Sequence, residues 1–170
     1  MTALDNAAYA FAASHQAPVF WTAVTLFGGV LGLGIATLIA LYAFKGRRNA
    51  IMLTLALLAS ILVSQGLKII FARPRPEDAT LLTYAFPSGH TFGSTAVYGM
   101  ISFLLWQKGL RWQALAIVIV PVMVGISRVM LLEHWLTDVI AGWILGALLV
   151  VIIVFFIRAG TSRAQQQSAR

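Results

Sequence analysis

Five apolar stretches of about membrane length, at roughly 19–44, 50–70, 91–106, 113–131 and 137–157, leave this chain few folds to choose from. In a bilayer every backbone N–H and C=O must find its partner inside the protein, and a stretch of about 20 residues does that only as a helix. The pattern therefore predicts an all-α membrane protein, a bundle of about five transmembrane helices, the third stretch being short for a full span. With 60% hydrophobic and 10% charged residues, the 170-residue chain is too apolar for a soluble domain, and its length suits a single integral membrane domain over residues 1–170. The opening "MTALDNAAYAFAASHQ" lacks the positive start of a secretory signal, its first charge being Asp5, and reads as a short surface helix ahead of the first span. The polar tail, residues 158–170, reads as solvated and mobile. Small residues, Gly28, Gly29, Gly32 and Gly34 in the first stretch and Ala141, Gly142 and Gly146 in the fifth, permit close helix contact, within one chain or between copies in a homo-oligomer. There is no cysteine, so disulfides and thiolate chemistry are excluded.

Net charge is +7, but the cations form no basic arm, which argues against nucleic acid as a partner. Threading the stretches alternately puts Lys45, Arg47, Arg48, Lys108, Arg111, Arg158, Arg163 and Arg170 on one side, which the positive-inside rule makes cytoplasmic together with the C-terminus. Trp106 and Trp112 then fall in the inner interfacial belt, and Trp21 and Trp135 near the outer one. The outer side receives Lys68, Arg73, Arg75 and Arg128, all five acids (Asp5, Glu77, Asp78, Glu133, Asp138) and all three histidines (His15, His90, His134). Retention signals explain the inner cations but not the outer four. Ionisable groups near membrane depth are costly and mark function, unless they merely snorkel at helix ends.

The outer residues fall into three stretches: "KIIFARPRP" (Lys68 to Pro76), "PSGH" (Pro87 to His90) and "SRVMLLEHWLTD" (Ser127 to Asp138). Together they resemble the signature of the type 2 phosphatidic acid phosphatase superfamily, the lipid phosphate phosphatases. That signature runs Lys, six residues, Arg-Pro; then Pro-Ser-Gly-His; then Ser-Arg, five residues, His, three residues, Asp, and identity, spacing and order all match here. The resemblance covers residues 68 to 138 by motif. It implies a metal-independent phosphohydrolase without cofactor, working through a phosphohistidine on His134, with His90 and Asp138 as the other catalytic residues and Lys68, Arg75, Ser88, Gly89 and Arg128 on the phosphate. Family members commonly have six membrane helices, so five is a departure that leaves the N-terminal segment without a role.

The residue types suit those roles. His134 and Asp138 lie four apart, about 40° around a helix, so a carboxylate can hold one ring nitrogen and leave the other free to attack phosphorus. Read alone, they are also an interfacial histidine and a first-turn acid. Lys68, Arg75 and Arg128 can meet the charge that spreads over a phosphoryl group in flight, arginine gripping two oxygens at once. Ser88 either donates to phosphate or caps the third helix, Gly89 lets backbone approach the anion, and His90 is the acid for the leaving oxygen and then the base for water. Arg73 stays open between a headgroup contact and a second phosphate ligand. Pro74, Pro76 and Pro87 force the connection into an irregular loop. Glu77, Asp78 and Glu133 read as solvated loop acids that keep the cationic pocket from holding phosphate too tightly.

The expected substrate is a lipid phosphate or diphosphate whose tail stays among the membrane lipids. For a bacterial inner or plasma membrane the resemblance implies undecaprenyl diphosphate, phosphatidylglycerol phosphate, phosphatidic acid or lyso forms, with undecaprenyl diphosphate first for an outward-facing site. Two other readings use the same residues: a lipid phosphotransferase sharing the phosphohistidine, and a non-enzymatic lipid or anion carrier.

Overall fold

Thr2 and Asp5 open the chain with a reciprocal cap, the Thr2 hydroxyl accepting from the Asp5 N–H at 3.1 Å and the Asp5 carboxylate from the Thr2 N–H at 3.3 Å. The computed structural model of the protein describes residues 1–168, with side chains as far as Ala159. From that cap the chain runs through α1 (Ala3–Ser14), α2 (Pro18–Thr25), a 3-10 turn (Leu26–Gly28), α3 (Val30–Ala43), α4 (Arg47–Phe71), α5 (Gly89–Gln107), α6 (Arg111–Ile117), α7 (Ile119–Met130) and α8 (Leu136–Ser168). The described residues contain no strand. The expected tail at 158–170 is helical backbone up to Ser168, while Arg170 and the Arg163 side chain lie outside what is described.

Among the described residues three segments have the length and apolarity to cross a membrane: Arg47–Phe71, Arg111–Met130 and Leu136–Ala159. Pro18–Gly28 and Val30–Ala43, bent by 49°, make a fourth if taken as one broken span, so the first expected stretch is not one straight helix. The third expected stretch, α5, is the exception to the apolar pattern. It lies at the centre, packed on α4, α6, α7 and α8, and so needs no lipid-facing coat. Its hydroxyls turn back on the helix, Ser94 and Thr95 donating to the Thr91 carbonyl at 3.1 and 2.8 Å. At 19 residues, α5 is about 28 Å long, close to the thickness of the hydrocarbon core.

Helix α8 approaches α5 closely through the small residues of its sequence. A Cβ on Gly142 would lie 2.9 Å from Thr91 Cβ, and one on Gly146 would lie 2.5 Å from Thr95 Cβ and 2.9 Å from the Phe92 carbonyl. The same approach brings the two helix starts together, the Ser88 N–H donating to the Asp138 carbonyl at 3.1 Å. Gly146→Val is therefore expected to lower the melting temperature in detergent by several degrees, as overpacking of roughly 1–3 kcal/mol would. Gly34→Val, where nothing stands within 4 Å, is the control and should melt like the wild type.

The two ends of the bundle differ in chemistry. At one end Lys108 Nζ donates to the Ala43 carbonyl at 3.1 Å, joining the two cation-bearing connections, and exposed Trp106 and Trp112 stand nearby in sequence. The three motif stretches, from Lys68 to Asp138, meet at the other. Trp135, expected in the outer interfacial belt, is instead buried. Its indole N–H donates to the Pro74 carbonyl at 3.0 Å, so the ring needs no headgroup water, and Tyr9 of α1 packs on it at 5.9 Å between centroids.

Candidate active site

Helix α4 ends at Ala72, in the left-handed conformation at φ 43°, and the prolines that follow keep the chain from re-entering the bundle. Where α4 and α7 end and α5 and α8 begin there is a cavity of about 180 Å³, lined by Lys68, Arg75, Thr83, Gly89, His90 and His134 among others. Three signature stretches separated in sequence thus meet in one place.

Arg75 organises the cavity wall. Its Nε donates to the Thr83 carbonyl at 2.6 Å and its Nη2 to the Thr83 hydroxyl at 2.9 Å, while Nη1 donates to the Glu133 carbonyl at 2.5 Å and lies 3.1 Å from His134 Nε2. An arginine N–H can only donate, so Nε2 is the bare nitrogen of His134 and the ring proton sits on Nδ1. Nδ1 faces Asp138 Oδ2 at 3.6 Å, too far for a hydrogen bond, and has no partner although buried. Burial, then the positive charges of Arg75, Arg128 and Lys68 and the nearby His90, hold the His134 imidazole well below the usual histidine range. It is a neutral ring with its lone pair turned into a cationic cavity.

Lys68, 7% exposed, donates from Nζ to the Tyr84 carbonyl at 2.5 Å. Arg128, 4% exposed, donates from Nη1 to the Thr25 hydroxyl at 2.9 Å, and its Nε has no partner, leaving a buried donor unused. Gly89 sits on the wall: a Cβ there would fall 3.7 Å from Ser64 Oγ and 3.9 Å from Lys68 Cε. His90 is half-buried beside Gly29, where an added Cβ would come within 3.7 Å of its Nε2.

Three expected site residues stand back from the cavity: Arg128, Ser88 and Asp138. Ser88 occupies the N-cap position of α5 but makes no capping bond; fully buried, its Oγ accepts from the Thr91 hydroxyl at 3.0 Å. Asp138 is fully buried behind His134, its Oδ2 accepting from the Trp135 N–H at 3.0 Å and its Oδ1 from Arg73 Nη1 at 2.5 Å.

That last contact places Arg73, which sequence spacing left open. It bridges Asp138 and Asp5, with Nη2 2.8 Å from Asp5 Oδ2, and points away from the cavity. Glu133 corrects the reading of the loop acids. It is not solvated but 6% exposed, accepting from the Thr80 N–H at 3.2 Å and from the Thr80 hydroxyl, with Arg75 at 3.5 Å and Arg128 at 3.9 Å. Two guanidinium groups in a poorly solvated site need an anion between them. Glu77 and Asp78 are exposed, Asp78 accepting from the Tyr9 hydroxyl. Thr83, Thr25 and the Tyr84 carbonyl carry no motif signal; contact with the cations alone reveals them. His15 is exposed on α1 and stacks on Phe11, with centroids 4.3 Å apart.

The chain is similar to several known proteins. The chain is 30% identical over 125 residues to phosphatidylglycerophosphatase B of Bacillus subtilis, covering 68% of this chain and 62% of that one. It is 30% identical over 112 residues to an undecaprenyl-diphosphatase of Sulfolobus acidocaldarius, covering 61% and 52%. Undecaprenyl-diphosphatase BcrC of Bacillus subtilis matches at 28% over 131 residues, 71% and 63%. The chain thus spans between 52% and 63% of the length of these relatives. Among solved structures, that of a transmembrane PAP2-type phosphatidylglycerolphosphate phosphatase from Bacillus subtilis superposes with a TM-score of 0.80 at 27% identity, covering 91% of this chain and 85% of that one. Aquifex aeolicus LpxE shares the fold, with a TM-score of 0.74 at 19% identity over 90% and 96% of the two chains. The PAP2 superfamily itself matches residues 49–161, a range that holds all three signature stretches, and the chain belongs to that superfamily.

Proposed function

We propose that this protein is an integral membrane lipid phosphatase that hydrolyses a lipid phosphate or diphosphate through a phosphohistidine on His134. The observation that carries the reading is the bare Nε2 of a buried, neutral His134, 3.1 Å from Arg75 in a cavity also lined by Lys68 and His90.

In the proposed reaction the substrate phosphoryl group displaces the Arg75–Nε2 contact, and its oxygens take donors from Lys68, Arg75 and the unpartnered Nε of Arg128. The Nε2 lone pair forms the N–P bond as the P–O bond to the lipid breaks, and His90 gives its proton to the departing oxygen. His90 then takes a proton from water as that oxygen bonds phosphorus, the N–P electron pair returns to Nε2, and inorganic phosphate leaves with His90 protonated again. Burial and the charges of Arg128, Arg75 and Lys68 push the His90 imidazole down to about 3, so the scheme requires the negative charge of the bound phosphoryl group to hold its proton. While the ring is positive, Asp138 is its counter-charge; their 3.6 Å separation closes to a hydrogen bond as Nδ1–H becomes more acidic. The three cations supply the charge a metal would otherwise bring. The site lies at the end of the bundle away from Lys45, Arg47, Arg48, Lys108 and Arg111, and the positive-inside rule makes that end extracytoplasmic.

The test is phosphate release by purified protein in detergent with a chelator, across undecaprenyl diphosphate, phosphatidylglycerol phosphate, phosphatidic acid and lysophosphatidic acid. Release should persist in the chelator and be inhibited by vanadate, which adopts the five-coordinate geometry of the transition state. Strict dependence on magnesium would contradict the scheme. Transfer of phosphate to a lipid-linked sugar hydroxyl without free phosphate would replace hydrolase with phosphotransferase.

A further inference from the structure

The superfamily match begins at residue 49, yet a residue from the other end of the chain is built into the support of His134. Asp5, on α1, is 1% exposed, and both of its carboxylate oxygens are engaged. Oδ1 accepts from the Thr137 N–H at 3.0 Å and the Thr137 hydroxyl at 2.9 Å; Oδ2 accepts from Arg73 Nη2 at 2.8 Å. The same Arg73 donates from Nη1 to Asp138 Oδ1 at 2.5 Å. Thr137 and Asp138 are neighbours in the first turn of α8, so Asp5 grips that turn twice, directly and through the guanidinium.

We propose that Asp5 is a positioning residue for the nucleophile: it fixes Arg73 and the first turn of α8 so that Asp138 stands behind His134 with its negative charge uncancelled. The kinetic part of this inference rests on the phosphatase reading. Charge counting supplies the reason. Two carboxylates share one guanidinium, which leaves the trio with a net charge of about −1 facing the ring. Without the Asp5 carboxylate, Arg73 and Asp138 form a neutral pair, and the positive phosphohistidine loses its counter-charge. A helix tether alone would not need a buried carboxylate, which is costly unless its charge is used. Burial acts to raise the Asp5 carboxyl, but hydrogen bonds from Thr137, Thr2 and Arg73 outweigh it and bring it to about 2, so the charge is present throughout the working pH range. The departure in the N-terminal region thereby acquires a function: α1 brings the second acid of the relay.

Asp5→Asn keeps the shape and removes the charge. It should lower kcat about 10- to 100-fold, the scale at which the outer partners of a functional histidine act, with KM within about threefold. The inhibition constant for inorganic phosphate should stay within about threefold, because the cations that bind phosphate are untouched. In an Arg73→Gln background the same change should cost clearly less than in the wild-type protein, since the guanidinium arm of the relay is already cut and only the direct contact with Thr137 remains. Arg73→Lys, which keeps the charge but not the fork, is the second variant and should show the same kcat-selective loss. Wild-type kcat in Asp5→Asn, a loss in KM alone, or independent multiplication of the Asp5 and Arg73 effects would each overturn the proposal. A readout without turnover separates the two claims: in ¹⁵N-histidine spectra of the detergent-solubilised protein, Asp5→Asn should move the His134 ring resonances and leave those of His15 in place. Unmoved His134 resonances defeat the positioning role; wild-type protein that releases no phosphate defeats only the phosphatase reading.

Discussion

Replacing His134 with alanine is expected to abolish phosphate release, at least about 10³-fold below wild type, while the protein still folds and still binds inorganic phosphate. The substitution removes the imidazole whose bare nitrogen stands 3.1 Å from Arg75, and leaves the cations proposed to bind phosphate without the proposed nucleophile. His90→Ala should be slower by roughly 10²–10⁴-fold but not dead, because a leaving oxygen can take its proton from water and the nucleophile remains. Phosphate release and trapping of a labelled phosphoenzyme measure both, and a His134→Ala protein turning over at the wild-type rate would remove the nucleophile assignment. The pH profile follows from the same ring. Since the His134 imidazole is held well below its ordinary value, the nucleophile is unprotonated above that lowered value and is lost only as pH falls through it. Titration of His134 should therefore not account for any loss of kcat/KM between pH 8 and 6.5.

Arg75→Lys should lower kcat/KM by about 10²–10³-fold even though the charge is conserved. A single guanidinium plane here spans the Thr83 carbonyl and hydroxyl, the Glu133 carbonyl and His134 Nε2. An ammonium has no flat fork to reproduce that set; it would satisfy one side and leave His134 or the 80s loop loose. The loss should appear in both kcat and KM, because in the proposed reaction the arginine would receive the phosphate while it holds the wall beside it. A change below about threefold would show that Arg75 serves the loop and not the phosphoryl group.

Several elements were legible because a strong local constraint writes them into sequence. The spacing Lys68 to Arg75 and Ser127-Arg128 to His134 and Asp138 is explicit in the sequence. Helix periodicity does not carry it into space, however: α4 ends before Arg75, and His134 lies in the turn between α7 and α8, so in place of the expected shared helix face His134 approaches Asp138 from that turn at 3.6 Å. The prolines at 74 and 76 announce that the chain leaves the bundle, and it does so at Ala72. Other features were not legible for definite reasons. The first apolar stretch reads as continuous, yet it breaks at Leu26–Gly28, because hydropathy reports the environment of a segment and not its direction. Trp135 and Glu133 look like interface and loop residues by type, but both are buried because partners arrive from far along the chain: the Pro74 carbonyl for one, Thr80 and two arginines for the other. In "RPRP" the motif spacing selects Arg75 but says nothing of where Arg73 goes, and only the fold sends Arg73 to Asp138.

What the residues determined alone is the class and the resemblance: apolar length dictates a helical membrane bundle, and the three motif stretches between Lys68 and Asp138 resemble the lipid phosphate phosphatase signature. What only the tertiary structure decided is the protonation and support of that site. Which nitrogen of His134 faces Arg75, where Arg73 goes, and that an acid from residue 5 stands behind Asp138 all depend on contacts across tens of residues. Chain spacing specifies which side chains share a helix face, whereas hydrogen-bond partners between helices exist only once packing has brought their ends together.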